Sequence, residues 1–105
     1  MSTLDLNKLI QDLANATCVA FMFDDAEDNG SCNFDTPMMK IKLSRKEKEQ
    51  MKDFLTPVDM RGYRDHYFVE IPLKGQANRR TTMAEAAARF LKAEGYEASV
   101  YYQLD

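Results

Sequence analysis

The chain has no tryptophan, one histidine, two cysteines, three prolines and four glycines among its 105 residues. The scarcity of cysteine and histidine removes whole classes of protein. Two cysteines, Cys18 and Cys32, are too few for a disulfide framework, so an apolar core must carry the fold. The thiols are expected to be reduced, as in the cytoplasm. One histidine without paired cysteine or histidine spacing supplies no zinc-type ligand set. No metal and no cofactor is therefore expected. No run approaches the ~18 apolar residues of a membrane span, and no charged-then-apolar signal segment opens the sequence, so no membrane association is expected. An excess of positive charge is also missing. The 14 basic and 17 acidic side chains leave a net charge of −3, which gives no overall argument for nucleic acid.

What is present is ordinary for a globular domain: 45% hydrophobic and 30% charged residues. The length suits one domain, residues 1–105, with a core of its own. No repeat, low-complexity tract or linker divides it.

The most legible stretch runs from Gly75 to Leu104. A polar loop leads to Thr82, which with Glu85 fits a capping box. Met83, Ala86, Ala87, Phe90 and Leu91 then recur at helical spacing. Arg89 and Lys92 suit the later turns of a helix dipole, and Gly95 is placed as the left-handed stop. Ala98, Val100, Tyr102 and Leu104 alternate with Ser99, Tyr101 and Gln103, the period of a strand. The small Ala84, Ala86, Ala87 and Ala88 would let the helix lie close on a sheet.

Earlier in the chain, Leu6, Leu9, Ile10 and Leu13 form one face of a first helix over residues 4–16, capped by Ser2 or Thr3. Thr17 to Phe23 is apolar on both faces and reads as a central strand, with a buried helical segment as the alternative. Asn29-Gly30 marks a tight turn. Met39, Ile41 and Leu43 alternate with Lys40 and Lys42 as a strand near a sheet edge, interrupted at Pro37. Ser44 with Glu47 is a second capping box, opening a mostly solvated helix to about Leu55. After a loop over residues 58–65, Tyr67, Val69, Ile71 and Leu73 mark one face of another strand. The predicted fold is α+β, a two-layer arrangement in the order α-β-β-α-β-α-β. It has a mixed sheet of about four strands with helices packed on it. The last β-α-β is expected to be a right-handed crossover between parallel strands.

Chemistry is sparse. Gly75 to Thr82 precedes a helix N-terminus, where free N–H groups and two guanidiniums favour an anion. The candidate binding residues are Gln76, Asn78, Arg79, Arg80, Thr81 and Thr82, with Asn33 and Asp35 nearby. Arg79 and Arg80 are expected to point outward as bidentate donors. The acidic turn places Asp25, Glu27, Asn29 and Gly30 as in an EF-hand, but Thr36 stands where a glutamate is needed. Cys32 and His66 could form a nucleophile–base pair only if the fold brings them together; Cys18, in an apolar run, reads as inert filler. Lys40, Lys42, Arg45, Lys46, Lys48, Lys52, Arg61 and Arg64, with Tyr63, Tyr67 and Tyr101 as stacking faces, make the nucleic-acid reading. Glu47 and Glu49 interleave with those lysines as on a solvated helix.

Three stretches, Gly30-Ser31-Cys32-Asn33-Phe34-Asp35, Gly75-Gln76-Ala77-Asn78-Arg79-Arg80-Thr81 and Ser99-Val100-Tyr101-Tyr102-Gln103-Leu104-Asp105, carry a resemblance. The chain resembles small proteins of phages, prophages and other bacterial mobile elements. The resemblance implies a role in binding and modulating a host or phage macromolecule, defence nucleases included. It implies no activity, cofactor or site. The sterically special residues of the three stretches are expected to gather at one end of the sheet. The functional expectation is a non-catalytic module that binds a macromolecular partner, a host or phage protein first and nucleic acid second. The alternative is a phosphate- or nucleotide-binding protein using the loop at 75–82.

Overall fold

The first apolar stripe runs further than residue 16. In the computed structural model, which describes residues 5–22, 35–71 and 78–102 (side chains of 78 and 79 excepted), helix α1 spans Leu6–Met22. Asp5 caps it. Its carboxylate accepts from the Lys8 backbone N–H at 3.2 Å, the bond an N-cap makes to the third helical residue. Residues 17–22, expected as a strand, are the last turns of this helix. Leu9, Leu13, Ala16 and Ala20 form one fully buried line along it. Two small residues there let α1 close on a second helix, and that packing overrides the strand propensity of Thr17, Val19 and Phe21. Thr17 accommodates by donating its hydroxyl to the Leu13 carbonyl at 3.1 Å. Residues 17–22 therefore do not pair with β1 as a strand, and the Asn29-Gly30 turn lies outside the described residues.

Strand β1 (Thr36–Lys40) follows, then α2 (Arg45–Gln50), β2 (Leu55–Pro57), β3 (His66–Val69), α3 (Asn78–Ala93) and β4 (Glu97–Tyr101). The class is the expected α+β, with a four-stranded sheet and helices on it. The chain order differs, being α-β-α-β-β-α-β. The sheet order is β2-β3-β1-β4, and every ladder is antiparallel. Since β3 and β4 both oppose β1, they run parallel to one another with β1 between them. The β3-α3-β4 unit is thus a crossover joining same-direction strands, as expected, but it skips over β1 instead of pairing them directly. For this reason β1 is central. Its Met38 and Met39 are both buried, so the Met-Met-Lys run lacks the simple alternation of an edge strand. Pro37 does not interrupt it. It sits opposite Val100, beyond the last residues that pair with β3.

The second capping box is complete: Ser44 Oγ accepts from Glu47 N, and Glu47 Oε1 accepts from Ser44 N at 2.8 Å. The helix it opens is six residues long, shorter than expected. Met51 turns the chain by accepting from the N–H groups of Phe54 and Leu55, and Leu55 then pairs with Val69. Three strand residues are too few to show a period, which is why β2 is invisible in the sequence.

The core joins both layers. Leu9, Leu13, Ala16 and Ala20 of α1 and Met83, Ala87 and Leu91 of α3 pack with Met39, Leu55, Tyr67 and Val69 from the sheet. Through the registers, the strand members of this cluster all project from one face. Tyr67 shares the strand face of Val69, as its spacing predicts, and is buried in the core, where burial and the nearby Asp65 push its hydroxyl pKa up.

Helix α3 ends as the sequence predicts. Gly95 has φ 101°, Tyr96 N donates to Leu91 O and Gly95 N to Lys92 O, both at 3.1 Å. These are the two bonds of a Schellman motif, and they demand a residue at ease with positive φ. The turn drives Tyr96 back under α1. Its hydroxyl donates to Asp12 Oδ2 at 2.6 Å, and Lys8 Nζ meets the same oxygen at 2.6 Å. Lys8 also stands 5.6 Å above the Tyr96 ring. Asp12 is only 7% exposed. Its desolvation alone would raise its pKa, but the bonds from Lys8 and Tyr96 outweigh it and hold the carboxyl below the usual range. Burial, then the bond to Asp12, pushes the Tyr96 hydroxyl well above its ordinary value.

Candidate functional site

The helix N-terminus lies a turn earlier than the sequence suggested. Residues 78–82 are helical, so Thr82 stands inside α3, half-buried, and does not cap it. Glu85, its expected partner in the box, instead accepts from the Tyr102 hydroxyl at 2.6 Å.

Three of the predicted site residues do come together. Asp35, just before β1, is 5% exposed, and its Oδ2 accepts from the Thr81 hydroxyl at 2.5 Å. Arg80 Nε donates to the Asp35 carbonyl at 2.9 Å, and Arg80 Nη2 reaches Thr36 Oγ1 at 3.4 Å. Thr36 in turn pairs with Tyr101 of β4. Described members of all three special stretches therefore meet at one end of the sheet. Arg80 does not stand outward: its guanidinium is committed to the start of β1. The physical reason is the early start of α3, which carries residue 80 over the entry to β1. Asn78 and Arg79 belong to the first turn of α3, and their side chains lie outside the described residues, as do Asn33, Gln76, Cys32 and the acidic turn at 24–31.

Arg80 is thus a tie between α3 and β1. Arg80→Ala is expected to lower stability by about 1–2 kcal/mol, because the Asp35 carbonyl loses a charged donor in a half-buried place. Urea unfolding of the purified variant measures this. An unchanged midpoint would show that the tie carries no weight.

From this end, a groove runs along the outer side of β4. Among the described residues β4 is one edge of the sheet. Between it and α3 lies a hollow of ≈ 380 Å³. Ala88, Ala98 and Val100 supply its apolar lining, and Arg89 and Lys92 stand on its helical side. The Glu85–Tyr102 bond closes the end nearest Arg80. That bond, with some burial, raises the Tyr102 pKa and keeps the hydroxyl protonated as donor. Tyr102 is still 59% exposed.

The opposite face of the sheet carries a ring series. Tyr63 packs edge-on against His66 and Tyr101, with centroids 5.2 and 6.1 Å apart, and Phe68 against Tyr101 at 5.6 Å. Tyr63 reaches these rings from the loop after β2, and Tyr101 donates to Met60 Sδ at 3.6 Å. The rings engage one another's edges, so they are not laid out as parallel platforms for bases. With Tyr67 in the core as well, the stacking trio of the nucleic-acid reading is not assembled.

His66 Nδ1 donates to the Arg64 carbonyl at 2.9 Å, which orients the ring. Cys18 is exposed on α1, not buried filler; it falls on the outer side of the helix, away from the line of Leu13, Ala16 and Ala20. Among the described residues, no group of three or more His, Cys, Asp or Glu is disposed to hold a metal ion. No helix there is long and apolar enough to cross a membrane. No protein-family model, curated protein or solved structure matches the chain.

The β4 edge was legible only in part. The strand pattern was plain, but its place at the margin depends on β1 entering between β3 and β4, which no local signal announces.

Proposed function

We propose that the chain is a non-catalytic binding module that recognises a macromolecular partner along the β4 edge and the adjoining end of the sheet. The observation that carries this reading is the pairing of an edge strand with a hollow against a helix. An edge strand directs alternate N–H and C=O groups away from the sheet, and the hollow gives a partner's side chains a place to lie. The Asp35–Thr81–Arg80 tie links the start of α3 to the start of β1 and so fixes the helix that forms one wall of the groove against the sheet. Gln76, Asn78, Arg79, Thr82 and Asn33 are proposed as contacts flanking that end. The commitment of Arg80 to Asp35 and Thr36 weighs against a phosphate cradle formed by both arginines. The resemblance to small phage and mobile-element proteins supports a host or phage protein, such as a defence nuclease, as the partner.

The test is affinity capture from the source cell with tagged wild-type chain and with Asn78→Ala/Arg79→Ala. The partner is expected to be retained by the first and depleted at least tenfold by the second, with equal thermal melts. Retention no greater than that of an unrelated tagged domain would contradict the reading.

A further inference from the structure

We infer that the occupant of the groove is an extended, acidic segment of a partner protein, which adds to β4 as a fifth strand. This rests on the binding-module reading and names the chemistry of its partner.

Among the described residues the two edges of the sheet are unlike. β2 has three residues and ends in Pro57, which has no N–H to offer. β4 has five residues, no proline, and one charged side chain, Glu97. It spans about 17 Å at the rise of a strand. Short length, proline and charge are the usual protections of an edge, and β4 has little of them.

Backbone chemistry selects the class of occupant. An antiparallel ladder points both the N–H and the C=O of alternate residues outward. A second peptide backbone matches that alternation of donor and acceptor. A phosphodiester chain offers only acceptors and leaves the outward carbonyls unanswered.

Charge selects within that class. Arg89 and Lys92 lie three residues apart on α3, hence on one side of the helix, and both are exposed. Among the described residues neither takes part in an ion pair. The carboxylate nearest on the same helix, Glu85, already accepts from Tyr102. An incoming strand therefore meets positive charge beside a lining of Ala88, Ala98 and Val100. Its alternate side chains that face the groove fit best as small or acidic residues, with carboxylates on Arg89 and Lys92. A second copy of this chain is a poorer fit, because edge-to-edge pairing through β4 would bring two Arg89–Lys92 pairs to one interface.

The experiment uses the full chain and blocked, fluorescein-labelled octapeptides in which threonine alternates with glutamate, glutamine or lysine. A fourth peptide carries proline in the middle of the glutamate series. Binding is read by anisotropy at low and high salt. The glutamate peptide is expected to bind at least tenfold more tightly than the glutamine and lysine peptides, to weaken with salt, and to fail with proline. Arg89→Glu with Lys92→Glu, both at exposed positions, should fold normally and reverse the preference toward lysine. Amide resonances of residues 97–101 should shift on titration. No preference for glutamate, no binding of the glutamate peptide at ~1 mM, an unchanged preference in the charge-reversed chain, or self-association through β4 would each overturn the inference. A partner captured equally well by the charge-reversed chain would remove the acidic strand and leave the binding-module reading intact.

Discussion

Ala87→Leu is expected to lower stability by about 3 kcal/mol, and Ala93→Leu by less than about 0.5 kcal/mol. Both changes raise helix hydrophobicity at a small and similar loss of propensity, so the difference isolates packing. Ala84 and Ala87 are 0% exposed, and Ala86 and Ala88 nearly so. Helix α3 is enclosed because α1 packs along it while β1 and β4 lie against it. On α1 the facing residues include Ala16 and Ala20, also 0% exposed. Two helices meeting through small residues have no slack for three extra carbons. The core must splay or force strained rotamers. Ala93, by contrast, is exposed at the end of the helix. Urea midpoints of the two variants give the comparison. A midpoint for Ala87→Leu within error of wild type would mean that α3 is not enclosed.

Asp12→Asn is expected to lower stability by about 2 kcal/mol at neutral pH and to flatten the pH profile at the acid end and, in part, at the alkaline end. The sign at each end follows from the direction of the shift. Asp12 is held below the usual carboxylate range by Lys8 and Tyr96, against its desolvation. Its contribution is present above about pH 4, the ordinary aspartate value, and is lost as pH falls through the lower folded value. Tyr96 is raised, by burial first and the bond to Asp12 second. Its contribution is complete below about pH 10 and is lost as pH rises toward the folded value. Asparagine keeps the shape but removes the charge that both neighbours answer. Thermal melts from pH 2 to 11 check this. A variant whose melting temperature follows the wild-type curve at both ends would show that the cluster is not coupled to folding.

These two variants also mark what local sequence reveals and what it does not. The sequence announces α3 and its stop because each signal lies within one turn: the stripe of Met83, Ala87 and Leu91, and Gly95 followed by Tyr96. The Ser44–Glu47 box is equally local and forms as read. Asp12 is hidden because its partner Tyr96 is 84 residues away, and a polar residue beside Lys8 reads as solvated. Residues 17–22 mislead because Ala16 and Ala20 are weak hydrophobic markers whose value is their small size against α3. For the candidate site the same division holds. Asp35, Arg80 and Thr81 were nominated from loop chemistry, and they do meet. That Arg80 turns inward depends on α3 starting early, and the groove beside β4 depends on strand order. Neither has a local signature.

Residue-resolved amide hydrogen exchange of the free protein tests most directly whether β4 is an open edge beside α3. In an edge strand each residue directs its N–H either into the ladder with β1 or out to water. Exchange along Glu97–Tyr101 is therefore predicted to alternate, slow and fast, with the fast amides becoming protected when the glutamate peptide binds. Uniformly slow exchange across all five amides in the free protein would mean that the edge is already paired, and would contradict an open β4.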